Sequence, residues 1–100
     1  MTNKSIIKLI SDTYRYHKNY IEESEYLMIN KSITQVAISQ KICSHIEHVV
    51  YNMEEKYSII LQNDVIKGLM NKKYRDGCSK STYYRNREAA YEKFIKELNK

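Results

Sequence analysis

The near absence of helix breakers is the feature that most constrains the fold of this chain. The 100 residues include no proline and only two glycines, Gly68 and Gly77. In a helix interior, proline costs ~3 kcal/mol and glycine ~1 kcal/mol relative to alanine, so a chain almost without them favours long helices over a sheet. A chain of this length forms one domain with a modest core. We therefore predict a single all-α domain over residues 1–100.

Apolar side chains repeat at helical spacing along most of the chain. A ragged apolar stripe predicts a first helix over residues 5–28. A second helix should begin at Ser32, because Ser32 and Gln35 match the Ser-x-x-Gln capping box, and Asn52 with Glu55 predicts the start of a third helix in the same way. A final helix over residues 79–98 completes the predicted layout, which is a small bundle of four long helices plus one short helix.

The final helix has the clearest sequence signals. Ser79 is a good N-cap, since its hydroxyl can accept a hydrogen bond from a free backbone N–H one turn later. Gly77, two residues earlier, supplies the backbone freedom that a tight turn between helices often needs. An apolar stripe then continues to about Leu98. Its members are Tyr83, Ala90, Tyr91, Phe94 and Leu98. We predict a helix from Ser79 to Leu98, with a turn before it.

Positive charge is concentrated beside this predicted turn. The formal net charge is +5, and residues 67–87 contain seven basic residues and one acidic residue. Local positive charge at a helix start is what a protein that contacts phosphates is expected to show. The alternative is a solvated basic face without a ligand. The turn chemistry beside the charge favours the phosphate-binding interpretation.

Residues 77–85, around the predicted turn, read Gly-Cys-Ser-Lys-Ser-Thr-Tyr-Tyr-Arg, followed by Ala89-Ala90-Tyr91 and Phe94. This segment resembles the end of region 4 of sigma factors. The family shares a Gly–apolar–Ser/Thr turn, an aliphatic or aromatic residue four positions after the cap, then Arg and an Ala-rich packing face. Phage late-gene activators of the sigma-like group and small mollicute sigma-like proteins carry similar stretches. The resemblance covers roughly residues 46–98.

One departure from the family concerns the supporting helix, residues 68–76. The first helix of the motif should present Ala and Leu just before the turn, where this chain has Lys73 and Asp76. Either the supporting helix is shifted, with Leu69, Met70 and Tyr74 packing instead, or it is degraded. A degraded motif could have become a protein-interaction module, so both interpretations stay open.

The resemblance implies a sequence-specific, double-stranded DNA-binding transcriptional regulator. It assigns the C-terminal part, residues 46–100, to the helix-turn-helix. Residues 1–45 have no counterpart in the family, and we predict for them an N-terminal helical hairpin that could be a dimer or partner surface. The start of the last helix would enter the major groove. The base-facing residues would be Lys80, Ser81, Tyr84, Arg85 and Arg87. The phosphate-contacting residues would be Lys72, Lys73 and Arg75.

A second function class is a helical module that binds RNA polymerase or another regulator and has lost DNA binding. A lone helix-turn-helix usually gains affinity by dimerising or by binding the polymerase. A homodimer and a polymerase complex are therefore both open as partners of the DNA-binding form. Steep weakening of binding with salt would favour DNA, and salt-insensitive partner binding would favour the module.

Ten tyrosines in 100 residues is a high number, and five of them fall on the predicted helices at informative positions. An aromatic residue at helical spacing is more often part of a core than of a ligand platform, and Tyr14, Tyr57, Tyr83 and Tyr91 fit that description. Tyr84 points away from the apolar stripe and stands beside Arg85. It could contact a sugar or a thymine methyl group, or it could be an ordinary surface tyrosine.

The remaining candidates do not indicate catalysis, a metal or a cofactor. His45 and His48 stand three residues apart on one predicted helix, but no second ligand pair has suitable spacing. Cys43 falls on an apolar face and reads as a small hydrophobic residue. No apolar run approaches the ~20 residues that a membrane span requires, and the first residues lack a secretory segment. We predict a cytoplasmic protein that is not an enzyme and has no membrane partner.

Overall fold

The computed structural model describes residues 1–26, 33–70 and 79–100, and all regular structure in these ranges is helical. Four α-helices and one five-residue π-helical segment follow in order. They are α1 (Asn3–Tyr26), α2 (Ile33–Tyr51), α3 (Glu55–Leu61), the π segment (Gln62–Ile66) and α4 (Lys80–Leu98). The prediction of an all-α chain is confirmed for the described residues.

Helices α1 and α2 lie side by side and run in opposite directions. Tyr14 lies beside Cys43, whose thiol donates to the Tyr14 carbonyl at 3.8 Å, whereas His17, further along α1, meets Ser39, earlier on α2. The distance between His17 Nδ1 and Ser39 Oγ is 2.8 Å. The Tyr14 hydroxyl also donates to Glu47 at 3.2 Å. Polar contacts thus fix the register of two helices that otherwise pack through apolar stripes.

The two halves of the chain share one core among the described residues. Side chains from every helix and from the π segment contribute to it. Its most deeply buried large members are Ile7, Val50, Leu61, Val65, Tyr91 and Phe94. The hydroxyl of Ser11 on α1 donates to the carbonyl oxygen of Val65 at 2.8 Å, which satisfies a buried backbone acceptor of the π segment. Helix α1 is therefore part of the scaffold that holds α4.

The third helix differs from the prediction in its start and in its length. Glu54, not Asn52, stands at the N-cap, and its side chain makes no capping hydrogen bond. The Asn52 amide instead donates to the carbonyl oxygen of His48 at 2.7 Å, so it closes the end of α2. The capping-box prediction at Asn52 was wrong because the same side chain can satisfy either a free N–H or a free C=O. Helix α3 has seven residues and continues directly into the π segment, so the helical stretch covers residues 55–66. In the part of the chain that the structure describes, three α-helices are therefore long.

Gly68 ends the π segment. Its φ of +68° is the left-handed conformation that glycine adopts without strain, and the N–H of Leu69 turns back to the carbonyl oxygen of Asn63 at 2.8 Å. A Cβ atom added at Gly68 would lie 2.8 Å from Cζ of Arg15. The backbone conformation therefore favours glycine here, whereas the Arg15 guanidinium, the end of a flexible and partly exposed side chain, could move aside.

Other predictions of local structure have mixed outcomes. Cys43 is buried, and Tyr14, Tyr57 and Tyr91 are core residues, with Tyr83 packed against the core, as predicted. The predicted cap at Ser32 lies outside the described residues. None of the described helices has the length and hydrophobicity needed to cross a lipid bilayer.

Candidate nucleic-acid interface

The start of α4 is built by Ser79. Its hydroxyl oxygen accepts a hydrogen bond from the Thr82 backbone N–H at 3.3 Å, and the same hydroxyl donates to the Thr82 side chain at 2.9 Å. The helix accordingly begins at Lys80, and it ends at Leu98. Ser79 is therefore confirmed as the cap that the sequence predicts.

Four of the five predicted base-facing residues are exposed on the first two turns of α4. They are Lys80, Ser81, Tyr84 and Arg85. Neither Lys80 nor Arg85 forms an ion pair with any described carboxylate, and no acidic residue occurs between Ser79 and Arg87. The described residues within 1–45 do not cover this surface, as the exposure of these four side chains shows. The result is an uncompensated basic surface at a helix start, which we call the α4 basic face and define by those four residues.

Tyr84 is the aromatic member of the α4 basic face, and 39 % of it is exposed. Its ring is contacted on several sides. The Tyr83 ring lies 5.6 Å away at 70°, in an edge-to-face arrangement. Lys80 Nζ is 5.9 Å from the ring centroid and Arg87 Cζ is 4.7 Å from it, both cation–π distances. The ring is thus surrounded by three neighbours on its own helix.

Arg87, the fifth predicted base-facing residue, is placed differently from the other four. It is only partly exposed, and its Nε atom is enclosed without a hydrogen-bond partner among the described residues. Its guanidinium lies between two aromatic rings, with Cζ 4.7 Å from the Tyr84 centroid and 5.7 Å from the Tyr91 centroid. Arg87 therefore lies behind Tyr84 and beside the core.

A buried acid stands behind Arg87. Asp64, on the π segment, is 2 % exposed, and its carboxylate accepts a hydrogen bond from the Tyr91 hydroxyl. Burial raises the pKa of Asp64, while the Tyr91 hydrogen bond and the positive charges of Arg87 and Lys4 oppose that rise. Burial and the neighbouring carboxylate also raise the pKa of Tyr91, so this phenol stays protonated at neutral pH.

Sequence reasoning missed Asp64. A signal was present, because Asp64 is the only acidic residue between Glu55 and Asp76, in a segment rich in isoleucine, leucine and valine. A charged side chain in such a segment is rarely buried without a partner. The final helix offers two partners for such an acid. Tyr91 has a hydroxyl on the apolar stripe, and Arg87 is a basic residue one turn before it.

The predicted phosphate contacts and the glycine of the predicted turn belong to a segment outside the described residues. Lys72, Lys73, Arg75 and Gly77 lie outside the described residues, as does most of the proposed supporting helix. These residues stay predictions from the sequence. The described chain resumes at Ser79 with the cap already formed, immediately after that basic segment.

A groove opens at the other end of α4. It encloses about 530 Å³ between the end of α2, the start of α3 and the last turns of α4. Apolar side chains of Val49 and Met53 contribute to the lining, and charged groups of both signs surround them. Tyr57 lies at its edge, with Lys56 Nζ 4.9 Å and Lys93 Nζ 4.8 Å from the ring centroid. The groove therefore combines apolar surface with the positive charges of Lys93 and Lys96.

The two histidines singled out in the sequence have ordinary roles. His45 Nε2 lies 3.1 Å from the carbonyl oxygen of Leu98, at the end of α4. His48 Nδ1 lies 3.3 Å from the Asn52 side-chain nitrogen. Within residues 1–26, 33–70 and 79–100, no three His, Cys, Asp or Glu side chains are grouped so that they could hold a metal ion.

Comparison of the chain with family models, with curated proteins and with solved structures finds no match. Membership of the sigma region 4-like family therefore stays a prediction from the motif at residues 77–94.

Proposed function

We propose that the protein is a sequence-specific, double-stranded DNA-binding transcriptional regulator of the sigma region 4-like type. The observation that carries the proposal is the α4 basic face. It joins two basic side chains, a hydroxyl and an aromatic ring at the start of a long capped helix, with no described carboxylate to neutralise them. The amino-terminal end of a recognition helix is the part that contacts base edges in the major groove.

The residues of the α4 basic face have distinct roles in this proposal. Arg85 is the best candidate for a bidentate contact with a guanine, because its guanidinium is exposed and makes no ion pair with a described residue. Tyr84 packs against a thymine methyl group or a sugar. Lys80 and Ser81 contact base edges or nearby phosphates. Lys72, Lys73 and Arg75 contact phosphates and set the register.

The proposal includes an additional source of affinity. One helix-turn-helix on one half-site usually binds weakly, and a second copy or RNA polymerase supplies the remaining contacts. We therefore expect the protein to act as a homodimer or together with the polymerase.

The test is selection of bound sequences from random duplexes at two salt concentrations, with wild type and Arg85→Ala in parallel. If Arg85 reads a guanine, the substitution should cost ~1–3 kcal/mol on the selected site and relax the preference at one position. The matched control is Lys96→Ala, on the last turns of the same helix, which should bind like wild type. An equal loss on every sequence would make Arg85 a phosphate contact, and failure to select any duplex would refute the proposal.

A second candidate function is a protein-interaction module for RNA polymerase or another regulator. The groove at the end of α4 favours it, because apolar surface and lysines meet there. Binding of purified RNA polymerase should then be insensitive to salt and should weaken on Met53→Ala, whereas Arg85→Ala should have no effect. Polymerase binding that is lost on Arg85→Ala instead would place the contact on the α4 basic face.

A further inference from the structure

Arg87 is the residue whose position agrees least with direct contact to DNA. It lies one helical turn after Tyr84 and one turn before Tyr91, so all three share one side of α4. Tyr84 thus lies at the edge of the apolar stripe, and the prediction that it points away from the stripe was wrong. The guanidinium is packed between the two rings, and its Nε is enclosed. A group that is to form a bidentate contact with a base needs its planar edge free. The edge that carries Nε is not free here.

The interior places an opposite charge near Arg87. Asp64 is buried and accepts a hydrogen bond from the Tyr91 hydroxyl, and the Arg87 guanidinium lies 5.7 Å from the centroid of the same Tyr91 ring. Arg87 and Asp64 form no direct ion pair, so their attraction acts across the Tyr91 side chain. An attraction between opposite charges in a poorly solvated environment is stronger than the same attraction at the surface. Asp64 therefore draws Arg87 inwards, and Arg87 in turn supports one face of the Tyr84 ring.

We propose that Arg87 is a positioning residue, anchored by Asp64, that fixes the Tyr84 ring at the protein surface before any ligand binds. This inference rests on the proposed function for its effect on DNA, but its structural content concerns the free protein. Tyr84 is already flanked by Lys80 and Tyr83, and Arg87 completes the set. A side chain fixed in its bound position loses less conformational entropy on binding, so the arrangement raises affinity without a direct contact from Arg87.

The first test is nuclear magnetic resonance of the free wild-type protein. The Arg87 Nε–H should exchange with water more slowly than the Arg85 Nε–H, which belongs to an exposed side chain and serves as the internal control. It should also show through-space contacts to the rings of Tyr84 and Tyr91. Asp64→Asn should speed the exchange and weaken the contact to Tyr84. Wild-type exchange as fast as that of Arg85, without contact to either ring, would overturn the proposal.

The second test measures DNA affinity against salt for Arg87→Ala and Arg87→Lys, on the duplex selected by the wild type. A positioning residue predicts an affinity loss of roughly three- to tenfold for both variants, since lysine lacks the planar stacking group. It also predicts an unchanged salt slope and unchanged base preferences. A slope reduced by about one unit in Arg87→Ala would show a phosphate contact and would overturn the proposal.

The two tests separate the inference from the proposed function. A protein that binds no duplex, yet has a protected Arg87 Nε–H and contacts to both rings, would refute DNA binding and support the placement of Arg87. Asp64→Asn changes a buried residue and could unfold the chain, so Arg87→Lys, at a partly exposed position, serves as the second variant. In the Arg87→Lys protein the Tyr84 ring should lose its contact with residue 87, while the resonances of Phe94 in the core stay unchanged.

Discussion

The two ends of α4 contain the same number of basic residues but use them differently. Residues 80–87 include three basic and no acidic residues, and residues 88–100 include three of each. At the end of the chain the charges pair, with Lys96 Nζ 3.5 Å from Glu92 and Lys100 Nζ 2.8 Å from Glu97. The start of the helix has no such pairs among the described residues. Charge that the protein does not neutralise itself is available to a ligand.

Burial follows the same division. Ala90, Tyr91 and Phe94 are fully buried, whereas no residue between 80 and 87 is. The second half of α4 therefore provides the fully buried contacts that hold the helix in the fold. In the first half Tyr83 and Arg87 lie against the core, and the α4 basic face is exposed. The comparison predicts that substitutions in the second half change stability, whereas substitutions in the first half change binding.

The largest expected effect is that of Phe94→Ala. Phe94 is 0 % exposed, so its removal leaves a cavity in the shared core, and the free energy of unfolding should fall by about 3–5 kcal/mol. Urea denaturation followed by circular dichroism measures it. The control is Arg85→Ala, which should stay within ~0.5 kcal/mol of wild type. Similar losses for both would contradict the division of α4 into two functional halves.

A smaller effect is expected for Ser79→Ala. The substitution removes the side-chain acceptor for the Thr82 N–H, and loss of an N-cap costs about 0.5–2 kcal/mol. The same denaturation assay applies, and Asn99→Ala at the opposite end of α4 is the matched variant. Asn99 should matter less, because its helix-closing hydrogen bonds come from its backbone N–H. The reverse order would show that the start of α4 is not fixed by Ser79.

The smallest effect is expected for Lys96→Ala. The pair formed by Lys96 and Glu92 is exposed on both sides and spans one helical turn, and such pairs contribute about 0.2–0.5 kcal/mol. Thermal unfolding at low and high salt should show a slight loss that disappears as salt is raised. A loss that persists at high salt would mean that the lysine stem packs on the groove instead.

The sequence predicts α4 well because its signals are local. A serine cap and a stripe of five apolar residues predict a helix from Ser79 to about Leu98, and in the structure Ser79 is the N-cap of a helix over Lys80–Leu98. The same holds for Cys43 on the stripe of α2. Cap signals are less reliable where two backbone groups compete for one side chain, and Asn52 shows this by closing α2 instead of opening α3.

The interior of the candidate site could not be predicted from local patterns. Asp64 and Tyr91 are 27 positions apart, and their hydrogen bond depends on how α3, the π segment and α4 pack. Arg87 has the sequence context of a surface residue on a basic face, and only the tertiary structure shows its guanidinium between two rings. The predicted DNA contacts of the exposed residues stay predictions until binding is measured.

The π segment has a consequence for how this chain tolerates changes in length. Its wider turn brings three successive side chains, Asn63, Asp64 and Val65, into the interior, which the 100° step of an α-helix does not favour. The wider turn already accommodates one more residue than a regular α-helix would, so a further residue inserted between Gln62 and Ile66 would rotate everything after it by about 100°. Gly68 would then no longer face Arg15. Insertions here should therefore be far more damaging than point substitutions on the neighbouring surface.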